Sequence, residues 1–184
     1  MLLALTVFNG CVRETYLKPL GEGSYLRHCG GGRESHLAFQ VREGFAASLQ
    51  VRPQQLILYF YLGPGHRLSI NDPHLEVVTK SGTAHRVPID THAYYLPYDS
   101  SIESSYSSTA ELKGSRVPES RTGKYFISEW QKYRWYRVWV DLSPPILEDY
   151  TVHWPPLTFD GEPLELQEIS VQQVTEYVHY SLGC

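Results

Sequence analysis

Apolar and polar residues alternate along much of this chain with a period of two. In one stretch the alternation gives way to continuous apolarity. The stretch Gln55–Leu62 reads QLILYFYL, seven consecutive apolar or aromatic residues after Gln55, and carries no charge. Pro53 bounds it on one side and Gly63-Pro64-Gly65 on the other. A run this short between turn residues predicts a strand covered on both faces, in the middle of a sheet or sandwich. On the N-terminal side, Leu37, Phe39 and Val41 alternate with His36, Ala38 and Gln40, and the pattern resumes through Phe45, Ala47, Leu49 and Val51. Arg42-Glu43-Gly44 between them predicts a hairpin turn.

After the central run, short strands are predicted over His66–Ile70, Leu75–Thr79, Ala84–Ile89 and His92–Leu96. Lys80-Ser81-Gly82 makes a hairpin, and Pro88 confines its strand to a sheet edge. Tyr98–Gly123 is dense in serine and lacks a period, which predicts one long irregular loop. Strand character resumes at Lys124–Glu129. It continues through Tyr133–Leu142, Asp149–Trp154, Leu157–Phe159, Leu164–Ile169 and Val171–Ser181, with Pro-Pro pairs and Asp160-Gly161 as stops and turns. No segment shows a helical period. The expected fold is an all-β, antiparallel β-sandwich of about ten short strands. It occupies residues 36–184, behind an irregular tether over 12–35 and a signal-like segment over 1–11.

Composition narrows the function classes. The 184 residues are 42% hydrophobic, enough for a single core. The formal net charge is −4 and the basic residues are scattered, which argues against nucleic acid as a partner. After Cys11 no run approaches the ~20 apolar residues of a membrane-spanning helix.

Leu2–Phe8 is apolar apart from Thr6 and leads to Asn9-Gly10-Cys11. This resembles the end of a bacterial lipoprotein signal peptide, in which a short apolar core precedes a small residue and the acylated cysteine. Gly10 matches the small residue, whereas Asn9 and the missing basic start depart from the pattern. The competing reading is a first β-strand that contains Cys11. With lipid on Cys11, Cys29 and Cys184 remain, and a disulfide between them would close nearly the whole chain in an oxidising compartment. Cys29-Gly30-Gly31, Trp154-Pro155-Pro156, Asp160-Gly161 and the terminal Cys184 together resemble bacterial β-sandwich lipoproteins. That resemblance implies a periplasmic protein held to the outer membrane by its lipid, and it transfers no catalytic residues.

Candidate chemistry is sparse. His85, Asp90 and His92 lie close together in sequence, and Asp72 and His74 repeat the Asp-x-His spacing. A metal site needs three or four such groups to converge, so a metal-dependent envelope hydrolase is the alternative function. No Gly-x-Ser-x-Gly motif is present. Glu129, Asp141 and Glu148 are carboxylates whose mutual placement the sequence leaves open. No cofactor is expected.

The stronger signal lies on Tyr133–Leu142, YRWYRVWVDL. Alternation places Tyr136, Val138, Val140 and Leu142 on one face, a core face. It places Tyr133, Trp135, Arg137 and Trp139 on the other, an aromatic stripe broken by arginine. That composition is typical of interface anchors and of stacking platforms. Packing of the same face beneath the Tyr98–Gly123 loop is the structural alternative. The expected function is non-catalytic binding of a protein partner at the cell envelope, as an immunity-type inhibitor or an accessory subunit. Tyr133, Trp135, Arg137 and Trp139 would form the binding surface, and the serine-rich loop a movable rim.

Overall fold

A computed structural model describes residues 11–22, 24–29, 32–94, 104–106, 111–115 and 134–179. These residues form an all-β structure of three antiparallel sheets and contain no helix. Strands are numbered along the chain. The five-stranded sheet runs β1 (Cys11–Pro19), β16 (Ile169–His179), β13 (Tyr150–His153), β7 (His74–Thr79) and β8 (Ala84–Pro88). The seven-stranded sheet runs β10 (Ser104–Tyr106), β9 (Asp90–Tyr94), β12 (Arg134–Asp141), β5 (Gln55–Leu62), β4 (Phe45–Arg52), β3 (Gly32–Arg42) and β2 (Ser24–Cys29). A smaller sheet orders β11 (Glu111–Lys113), β6 (Arg67–Ile70), β14 (Leu157–Phe159) and β15 (Glu162–Leu164).

The apolar run becomes β5, the middle strand of the seven-stranded sheet. Its Leu56, Leu58, Phe60 and Leu62 point into the core beside Phe45, Ala47, Leu49 and Val51 of β4 and Tyr136, Val138 and Val140 of β12. The five-stranded sheet closes that core from the other side with Leu17, Leu75, Val77, Tyr150, Val152 and Val171. The two layers thus make the expected β-sandwich. β8 is an edge strand and ends at Pro88, as a residue without an N–H donor requires.

The small sheet fills one end of the core with Leu68, Ile70, Leu112, Leu157, Phe159 and Leu164. Phe45 stacks on Phe159 at 5.5 Å between centroids and meets Phe60 edge-on at 5.6 Å, joining this sheet to the large one. Tyr136 makes a second joint. Its buried hydroxyl donates to the Lys113 carbonyl at 2.7 Å and accepts from the Lys113 amide at 3.0 Å, replacing a ladder rung for β11.

Backbones meet closely at this end. The Gly63 amide donates to Gly44 O at 2.8 Å, and the Gly114 amide donates to His66 O at 2.8 Å. A β-carbon on Gly114 would collide with the Gly63 carbonyl, and one on Gly44 with the His66 ring.

Several expectations need correction. Residues 12–35 are not a tether, because most of β1, all of β2 and the start of β3 lie there. These strands are charged and show no clean alternation; β1 pairs with the remote β16, and β2 with β3, the strand next in the chain. The Leu164–Ile169 strand is divided: β15 ends at Leu164, residues 165–168 are not strand, and β16 starts at Ile169. The irregular 98–123 stretch contains β10 and β11, each three residues long and so too short to show a period. The remainder of that stretch and Lys124–Glu129 lie outside the described residues.

Gly114→Ala should lower stability by about 2 kcal/mol, since the obstacle is backbone that cannot swing aside. Thermal unfolding should register a fall of about 4–8 °C. An unchanged melting temperature would contradict the close approach at Gly63.

Candidate functional site

The stripe on β12 falls where alternation predicts. Trp135, Arg137 and Trp139 share the face of the seven-stranded sheet opposite Tyr136, Val138 and Val140. Tyr133 lies outside the described residues. Pairing register then adds neighbours. Trp135 stands opposite Tyr61, Arg137 opposite Tyr59, and Trp139 opposite Ile57. One strand further, Ala46, Ser48 and Gln50 of β4 occupy the same rows.

Arg137 sits at the centre of this face. Its guanidinium carbon lies 5.3 Å from the Trp135 ring, 5.3 Å from the Trp139 ring and 5.5 Å from the Tyr59 ring. Three rings within about 6 Å give the cation a favourable quadrupole environment. Tyr59 tilts against Trp135 at 5.4 Å and donates its hydroxyl proton to Gln50 Oε1 at 2.7 Å. Tyr61 stacks on Trp135 at 6.4 Å.

Burial divides the stripe. Trp135 is 2% exposed, and Ile57 and Gln50 are equally covered. Arg137, Trp139, Tyr59 and Tyr61 are half-buried. Trp135 is therefore corrected from an open contact residue to part of a second buried layer, as its bulk and flanking rings require. The half-open rim contains Arg137 and Trp139, with Tyr59 and Tyr61 from β5. Sequence alternation flags β5 as apolar on both faces, but only the register shows which of its residues stand beside the arginine.

The histidine cluster is divided between sheets. His85 is on β8 in the five-stranded sheet, while Asp90 and His92 belong to β9 in the seven-stranded one. The backbone of Asp90 lies opposite Trp139, and that of His92 opposite Arg137. The two constellations thus reach neighbouring strands in one register. Among the described residues, no three His, Cys, Asp or Glu side chains converge as a metal site. His74 Nδ1 does meet Asp72 Oδ1 at 2.9 Å, and Arg86 Nη2 donates to both carboxylate oxygens of Asp72. Glu148 receives the Ser81 hydroxyl, Asp141 receives Gln55 Nε2, and Glu129 lies outside the described residues.

Of the cysteines, Cys11 opens β1 with its backbone opposite His179, and Cys29 ends β2 opposite Gly32. Cys184 lies outside the described residues.

A shallow hollow at the small-sheet end is lined by Arg67, Ser69, Glu111, Thr158 and Asp160. Its carboxylates already have partners. Asp160 takes His66 Nδ1 at 2.7 Å and the Arg67 amide at 2.8 Å, and Glu111 lies 3.6 Å from the Arg67 guanidinium. Asp160 and Gly161 both have positive φ, 53° and 89°, so this cluster holds a tight hairpin turn. The hydrogen bond from His66 holds the Asp160 carboxyl below the usual carboxylate range, helped by the Arg67 amide and the Arg42 charge.

No protein-family model, curated protein or solved structure matches this chain.

Two outcomes follow. Trp135→Ala should destabilise the fold by about 3–5 kcal/mol, with Trp139→Ala costing much less, in paired denaturant titrations. Equal small losses would return Trp135 to the open surface. Separately, a carboxylate with a depressed folded pKa contributes stability above its unfolded pKa and loses it as pH falls through the folded value. Asp160→Asn keeps the turn conformation and removes the charge. Its stability should therefore fall less than that of the parent between pH 7 and pH 3, and parallel pH profiles would refute the coupling.

Proposed function

We propose that this chain is a non-catalytic binding protein of the bacterial cell envelope, exported and held at the periplasmic side of the outer membrane by lipid on Cys11. Its partner is a protein, and an immunity-type inhibitor or an accessory subunit of an envelope machine both suit this size. The observation that supports binding is the placing of the Arg137 guanidinium among three rings, with Arg137, Tyr59 and Trp139 half-open to solvent. Aromatic and arginine side chains that are already partly desolvated and held by neighbours lose little freedom on association, and such residues dominate interface energetics. The anchoring part rests on the apolar Leu2–Phe8 run and Gly10-Cys11. A Cys29–Cys184 disulfide belongs to the same reading and would contribute at most about 5 kcal/mol through loop closure.

Affinity capture from envelope extracts tests the surface. Arg137→Ala and Trp139→Ala should each weaken capture of a reproducible partner by at least about thirtyfold, equivalent to roughly 2 kcal/mol, while the fold stays stable. Leu147→Ala, an exposed substitution outside this face, serves as the control. Capture that survives both rim substitutions would overturn the assignment.

A further inference from the structure

The ladder between β1 and β16 has nine rungs, from Cys11↔His179 to Pro19↔Val171. β13 meets β16 only at Ile169–Val171. Among the described pairings, the ladder from Lys18 out to Cys11 is therefore two-stranded. At ~3.4 Å per residue, Cys11 stands about 27 Å along the ribbon from the rung shared with β13.

A two-stranded ribbon is marginal on its own, so its supports matter. At the inner end Leu17 and Pro19 are buried, and the Leu20 amide donates to Ser170 O at 2.8 Å. β1 also packs against β3 and β4. Further out, the Thr15 and Thr175 hydroxyls are 2.9 Å apart. Tyr16 donates to Glu176 Oε2 at 2.8 Å, and Lys18 Nζ lies 3.6 Å from Glu176. These pairs cross between the strands and fix their register.

We infer that the β1–β16 ribbon is a stand-off that fixes how the sandwich sits relative to a lipid surface gripped through Cys11. The inference rests on the anchoring reading above. An unstructured nine-residue tether would have a mean end-to-end distance of about 15–18 Å and would let the domain turn freely. The ribbon instead passes the anchor's position directly into Leu17 and the core. Every residue after Cys11 is in the ladder as far as Pro19, so no swivel lies between lipid and sandwich.

Trypsin distinguishes a ribbon from a tether, because Arg13 is a cleavage point inside it, whereas the Lys18–Pro19 bond resists the enzyme. The experiment uses the full chain with its leader, labelled with palmitate in a bacterial host and reconstituted into phosphatidylethanolamine–phosphatidylglycerol vesicles. A double variant, Val174→Pro with Thr175→Pro, serves as the comparison. Consecutive N–H groups point to opposite strand edges, so one of these prolines must remove a donor facing β1. The parent should stay on the vesicles under limited digestion, and the variant should be released at least tenfold faster by cutting at Arg13. Label on Cys11 with parent and variant released equally fast would overturn the stand-off and leave the anchor standing. Label in the parent no higher than in Cys11→Ser would overturn the anchor, and the stand-off with it.

Discussion

A strand that is apolar on both faces cannot sit in a sheet with one face left to water. β5 imposes that condition here, and the architecture follows from meeting it twice. Leu56, Leu58, Phe60 and Leu62 are covered by a whole second sheet. On the other face, Ile57, Tyr59 and Tyr61 gain cover from the neighbouring strands, through Trp135, Arg137 and the short side chains of β4. The burial of Trp135 and Gln50 belongs to this second covering. It places the Gln50 amide in an interior setting and the Arg137 cation in a half-buried one. Each therefore needs an electrostatic partner: the rings serve Arg137, and the Tyr59 hydroxyl serves Gln50.

The small-sheet end obeys a different constraint. Three connections cross there with so little room that glycine is required at Gly44 and Gly114. The His66 ring lies flat on Phe159 at 5.2 Å and holds Asp160 through Nδ1. A histidine–carboxylate pair in a hollow invites a catalytic reading. The Arg67 amide on the second Asp160 oxygen, and the turn that Asp160 itself occupies, give the pair a structural task already.

How much of this could be read from the chain depended on the range of the interaction. The β5 run, the core face of β12, the Asp160-Gly161 turn and the edge position forced by Pro88 are local properties, and alternation or turn chemistry displays them directly. β1 and β2 escaped because their sequences are polar enough to pass for linker, and the partner of β1 lies at the far end of the chain. β10 and β11 escaped because three residues carry no period. In the candidate site, alternation assigned Trp135, Arg137 and Trp139 to one face. It could not show that Tyr59 and Tyr61 would stand in the same rows, nor that Trp135 would be covered. Those facts belong to register, which tertiary packing sets.

The bridge from Tyr136 to Lys113 has a kinetic side. β11 is only three residues long, and its peptide is gripped by a phenol that belongs to β12 in a different sheet. That grip cannot form before β12 has paired with β5 and turned Tyr136 inward. The segment is thus too short to nucleate anything, and its docking point is made by contacts remote in sequence. Such a topology puts β11 among the last pieces to settle during folding. It also makes β11 a natural first piece to open in the native state, with amide exchange at Leu112 and Lys113 faster than in β4 or β5.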